Sequence, residues 1–168
     1  SEGDSLAQNL ADMSCTAAEI LFAEGKKEQA EDFLSNFNLL ELAYPRYLAI
    51  RSIVATDDCE PDLAKKYFNE AIQSYQDHYE VVEAPTLEDV FRQTASLSSI
   101  ALAAHYLNNE LLATQFHQKS NDKLNNQPLF ILRYAQTLLT GAENQGIADT
   151  LSILNHAPGQ DFLSQTNK

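Results

Sequence analysis

The side chains best suited to chemistry, histidine and cysteine, are few and widely spaced in this sequence of 168 residues. Four histidines occur, none within ten residues of another: His78, His105, His117 and His156. Structural zinc sites need closely spaced Cys or His pairs, so this spacing does not predict a metal site. No nucleotide-binding, zinc-protease or nucleophile motif is present either. We therefore expect no catalytic residue, no metal and no cofactor, and we predict a non-enzymatic role.

The two cysteines, Cys15 and Cys59, leave two interpretations open. Both could be reduced thiols, or they could form one disulfide in an exported domain. The repeat register described below places them at opposite ends of one helix layer, about 15 Å apart along the axis. A disulfide allows no more than about 7 Å between Cα atoms, so we predict that they do not pair.

Acidic side chains are abundant and unevenly distributed. Residues 1–89 hold 19 of the 24 acids and 6 of the 11 bases, so they carry the whole net charge of −13. Phosphate binding requires a basic surface, so we expect no nucleic acid contact by this chain. The acidic half is either a solubilising surface or a docking face for a basic protein or peptide partner.

Composition and hydrophobic spacing predict a helical protein. Hydrophobic residues make up 44% of the chain, while Gly and Pro number five each. No apolar run approaches the roughly 20 residues that span a bilayer, so we expect no membrane insertion. We expect a cytoplasmic location, with a periplasmic one as the alternative if a leader or membrane anchor precedes this sequence.

Apolar periodicity and capping residues predict eight helices. The clearest is the fourth, in which Ala64, Phe68 and Ala71 share one face. Gly25 suits the end of the first helix, and Thr86 with Asp89 forms a capping box that opens the fifth. The predicted helices cover residues 6–24, 26–37, 45–55, 62–75, 86–107, 110–124, 128–141 and 147–154. Residues 76–85 are predicted to be an insertion, and residues 157–168 a loose tail.

The second helix of each pair carries a small residue at a regular interval. The four positions are Ala30, Ala64, Ala113 and Ala148, separated by 34, 49 and 35 residues. Thirty-four is the tetratricopeptide period, and 49 is that period with an insertion. The chain thus resembles a tetratricopeptide-repeat domain, with one domain over residues 1–168 and repeats at about 6–37, 45–75, 86–124 and 128–156.

The resemblance implies an all-α fold, a right-handed α-solenoid of about four antiparallel helix hairpins. It also implies a scaffold that binds a peptide or a partner helix in a concave groove lined by the first helix of each pair. Acids in the first repeat argue against an acidic C-terminal peptide as the ligand. The alternative function is a ligand-responsive sensory or effector domain of a bacterial transcription regulator. By position, the groove residues are Asp12, Cys15, Glu19, Phe22, Ser98, Leu102, His105 and Tyr106.

Overall fold

The computed structural model describes residues 2–35, 37 and 43–125, with side chains from residue 6 onward. These parts of the chain contain α-helices and no β-strand, which confirms the all-α prediction for them. The predicted fourth helix pair and the tail at 157–168 lie outside the described residues. The helices are α1 (Glu2–Ala23), α2 (Lys27–Leu34), α3 (Pro45–Asp57), α4 (Pro61–His78), α5 (Leu87–Tyr106) and α6 (Glu110–Asn125).

The same tight turn joins the two helices of each pair. Gly25, Cys59 and Asn108 have left-handed φ angles of 80°, 61° and 58°. In each turn the next residue donates its N–H to a carbonyl five positions back, as in a Schellman motif. The next helix begins two residues after the left-handed position. The three hydrogen bonds are Lys26 to Leu21 at 2.8 Å, Glu60 to Ala55 at 2.9 Å and Asn109 to Ala104 at 2.9 Å.

Small buried residues stand at matching positions on either side of these turns. Seven positions before the left-handed residue lie Ala18, Ser52 and Ala101, and five positions after it lie Ala30, Ala64 and Ala113. All six are at most 4% exposed. Side chains of this size let the two helices of a pair approach closely. The alanine positions that carried the sequence pattern are thus buried in all three pairs that the structure describes.

Several helix boundaries differ from the prediction. α1 begins at Glu2 instead of 6, and α3 ends at Asp57 instead of 55. α2 ends at Leu34 instead of 37, since the hydroxyl of Ser35 donates to the carbonyl of Asp32 and competes with the helical pattern. α4 continues to His78 instead of 75. Packing explains the extension, because Tyr79 just beyond it lies 5.7 Å from the Tyr44 ring. The predicted insertion therefore shrinks to the connection between α4 and α5.

α3 and α5 lie at the centre of the core. α3 packs against α4, α5 and α1, so buried residues occur around its whole circumference. α5 also packs against α6. The capping box that starts α5 is formed, with the Asp89 backbone N–H donating to Thr86 Oγ1 at 3.2 Å. This arrangement brings side chains of α1 and α5 together over α3, where the predicted groove residues lie.

Candidate functional site

The predicted groove residues come from two helices, α1 and α5, whose side chains meet at several points. Phe22 of α1 packs edge-on against Tyr106 of α5, with ring centroids 5.9 Å apart. Closer to the N-terminus of α1, the hydroxyl of Ser99 donates to a carboxylate oxygen of Glu19. Residues about 80 positions apart in the sequence are thus neighbours on one face.

Arg46, near the N-terminus of α3, contacts both of these helices. Its guanidinium donates to the backbone carbonyl of Asp12 at 3.0 Å and to Ser99 Oγ at 3.2 Å. A third nitrogen lies 3.5 Å from Glu19 Oε2. Burial lowers the pKa of Arg46, but the charge of Glu19 and its other neighbours outweighs this and raises it overall. Arg46 therefore stays charged and binds α1 and α5 at once.

Asp12 is the second centre of this polar cluster. It is 6% exposed and accepts a hydrogen bond from the hydroxyl of Tyr44. Its other oxygen lies 3.6 Å from Arg92 Nε. Burial raises the pKa of Asp12, although Tyr44 and the two arginines act in the opposite direction. The pKa of Tyr44 is raised as well, by burial and then by the charge of Asp12. The Tyr44 hydroxyl therefore keeps its proton and remains a hydrogen-bond donor to Asp12.

The predicted groove residues divide into a buried group and an accessible group. Asp12 and Cys15 are buried, and Glu19 keeps 23% of its side chain exposed. Ser98 forms a 3.1 Å hydrogen bond with Ser120 of α6, so its hydroxyl faces the neighbouring helix. The accessible group is Phe22, Leu102, His105 and Tyr106, of which His105 is exposed and 2.6 Å from Glu110 Oε1.

Sequence reasoning missed Tyr44, Arg46, Arg92 and Ser99. A pattern that pointed to Arg46 was nevertheless available, because it lies inside an otherwise apolar helix start with Tyr47 and Leu48. A buried arginine requires an acidic partner. In the predicted repeat stack, the acidic residues nearest to Arg46 are those of α1, so they were the partners to expect.

An open cavity of about 440 Å³ adjoins the accessible group at the turn end of the second and third helix pairs. Tyr106 lines this cavity and also contacts Phe22, so the cavity borders one ring of the aromatic pair. The lining residues are Thr56, Cys59, Pro61, Lys65, Tyr106, Leu107 and Asn108.

Both cysteines are outside disulfides: Cys15 is buried in α1 and Cys59 is exposed at its turn. Over residues 2–35 and 43–125, no three His, Cys, Asp or Glu side chains are grouped so as to hold a metal ion. Within the same ranges, none of the helices is both long and apolar enough to cross a bilayer.

Comparison with known proteins gives no relative: no family model, no curated protein and no solved structure matches this chain significantly. The resemblance to tetratricopeptide repeats therefore depends on the chain's own residues and their spacing.

Proposed function

We propose that this chain is a non-enzymatic scaffold for protein interaction, built as a tetratricopeptide-like stack of helix hairpins that binds a peptide or a partner helix on its inner face. One observation carries the proposal: Tyr106, which pairs with the half-buried Phe22, also lines the cavity of about 440 Å³. Aromatic side chains at the edge of a recess are the residues that most often dominate binding energy at protein interfaces.

The polar cluster supports the proposal by fixing the two helices that carry the aromatic pair. Arg46 contacts both Asp12 on α1 and Ser99 on α5, so the relative position of these helices is set before any partner binds. A preformed site loses less conformational entropy on binding than a mobile one. The buried members of the predicted groove thus support the accessible ones without touching the ligand.

The cavity has the size and lining to hold one side chain of a bound peptide. Its volume lies within the range of about 300–1,000 Å³ that is typical of ligand sites. Pro61, Leu107 and the Tyr106 ring offer apolar surface, while Thr56 and Asn108 can hydrogen-bond to a peptide backbone. We therefore expect an apolar or aromatic anchor residue in the ligand.

A displayed library of random peptides, selected on the full-length protein, tests the proposal. Selected peptides should bind the wild type and lose about tenfold or more in affinity with Tyr106→Ala. Lys65→Glu, at the exposed rim of the cavity, should change peptide preference without a folding cost. Leu111→Ala, an exposed position on α6, is the matched control. Peptides that bind all four proteins equally would show that the inner face is not the site.

A further inference from the structure

A second recess lies near the N-terminal end of α5, away from the cavity that Tyr106 lines. It has a volume of about 290 Å³ and is formed by three parts of the chain: the connection between α4 and α5, the first turns of α5 and the last turn of α6. Gln93 lines this recess, and it is about 20 Å from Tyr106 along α5. The described residues that line the two cavities are all different, so the recess is separate from the site proposed above.

Part of the lining of the recess is apolar. Val90 is 2% exposed and packs with Leu124 and Phe91 in a small apolar cluster that is distinct from the main core. Val82 and Pro85 of the connection add to the apolar lining. Branched aliphatic side chains and a proline ring offer a surface on which another branched aliphatic side chain can be removed from water.

Two opposite charges also line the recess, and they do not pair with each other. Glu80 and Lys123 both line it, but Glu80 pairs at the surface with Lys119, at 3.7 Å. Lys123 has no carboxylate partner among the residues that the structure describes. The chain has 24 acidic and 11 basic side chains, so carboxylates are in excess. A lysine without one, at a recess that also contains a carboxylate, is suited to a ligand that carries both charges.

Gln93 adds an uncharged polar group to the same lining. It is 5% exposed, and its Nε2 donates to the backbone carbonyl of Tyr79 at 2.7 Å. This hydrogen bond holds the side-chain amide in place. Because Nε2 is engaged, Oε1 is the amide atom left to accept a hydrogen bond from a ligand.

We propose that this recess binds a free α-amino acid with a branched aliphatic side chain. Lys123 pairs with the α-carboxylate, Glu80 and Gln93 Oε1 bind the α-ammonium group, and the aliphatic side chain packs against Val90. The volume lies at the lower end of the range of about 300–1,000 Å³ for ligand sites, which suits a ligand of this size. The last residue of a peptide has a carboxylate but no ammonium group, so it would leave Glu80 unmatched.

Amide NMR spectra of the isotopically labelled protein, recorded during a titration with L-valine, test the proposal. The side-chain amide of Gln93 and the backbone amides of Val82 and Val90 should shift and saturate at about millimolar L-valine, while Tyr106 should not shift. N-acetyl-L-valine lacks the ammonium group and L-valine amide lacks the carboxylate, so each should bind about tenfold more weakly. Glycine, which lacks the aliphatic side chain, should also bind about tenfold more weakly.

Variants that keep side-chain size but remove one charge locate the site. Lys123→Gln and Glu80→Gln should each weaken L-valine binding about tenfold. Lys66→Gln is the matched control, because Lys66 is an exposed lysine of α4 that does not line the recess, and it should leave binding unchanged. The proposal would be overturned by the absence of a saturable shift at Gln93, or by N-acetyl-L-valine binding as tightly as L-valine. Equal weakening by Lys66→Gln and Lys123→Gln would also overturn it.

Discussion

Replacing Arg46 by Met should lower the free energy of unfolding by about 3 kcal/mol. Met fills a similar volume, so the packing loss is small. The variant loses the charged hydrogen bonds to the Asp12 carbonyl and Ser99, each worth roughly 1.5–3 kcal/mol. It also leaves the carboxylates of Asp12 and Glu19 without their shared cation. Breaking a buried ion pair in this way costs about 3–5 kcal/mol. We take the low end because Asp12 keeps Tyr44 and Arg92, and water reaches Glu19.

Urea unfolding followed by far-ultraviolet circular dichroism measures this change. For a slope near 2 kcal/mol per molar urea, the midpoint should fall by about 1.5 M. Arg46→Lys should recover part of the loss, because it keeps the charge but not the planar fork that reaches both helices.

The control for Arg46→Met is Lys27→Met, because Lys27 also pairs with two carboxylates but lies at the surface. It pairs with Asp57 and Asp58 in the adjacent turn, and these carboxylates raise its pKa. The pairs are nevertheless at the surface, where water and salt screen such contacts and they contribute little to stability. Lys27→Met should therefore shift the midpoint by less than about 0.5 M. If it shifted the midpoint as far as Arg46→Met, burial would not be the reason for the cost, and the reasoning would be wrong.

Three further predictions concern single positions. Ala71→Leu should destabilise by about 1–3 kcal/mol, because it overpacks a fully buried helix contact; an unchanged urea midpoint would refute this. Cys59→Gly should stabilise by about 0.5–1 kcal/mol, because its φ of 61° suits glycine, whereas Gly25→Ala should destabilise for the same reason. Since burial raises the native pKa of Asp12, the folded state binds its proton more readily than the unfolded chain does. Wild-type stability should therefore rise relative to Asp12→Asn as pH falls from 7 through that pKa, in urea titrations at several pH values.

The helices could be predicted from the sequence because local rules determine them. Gly25 at a helix end, Pro45 and Pro61 at helix starts, and the Thr86 box all lie where the structure has them. The error at the end of α4 occurred where a tertiary contact decided the outcome. α4 outlasts its apolar periodicity because Tyr79 packs beyond its end, and no local pattern encodes that contact.

The site was predicted less completely, for a related reason. Repeat register assigned Phe22 and Tyr106 to one predicted groove, and in the structure their ring centroids are 5.9 Å apart. Register does not give the distance between α1 and α5. That distance depends on how closely both helices pack over α3, and it decides whether Asp12 lines an open groove or is buried. In the structure, Arg46 lies between α1 and α5 and contacts both. Because it belongs to α3, no pattern within α1 or α5 predicts these contacts.

The Arg46 cluster also has a consequence for folding kinetics. Each Schellman turn closes over a few residues, so the helix pairs can form early from local contacts. Arg46 instead joins positions 34 and 53 residues away, and closing such loops costs entropy before the contact forms. We expect the cluster to form after the main barrier. Arg46→Met should then leave the refolding rate nearly unchanged and speed unfolding about 100-fold. The cluster would thus determine how long the folded chain lasts between openings.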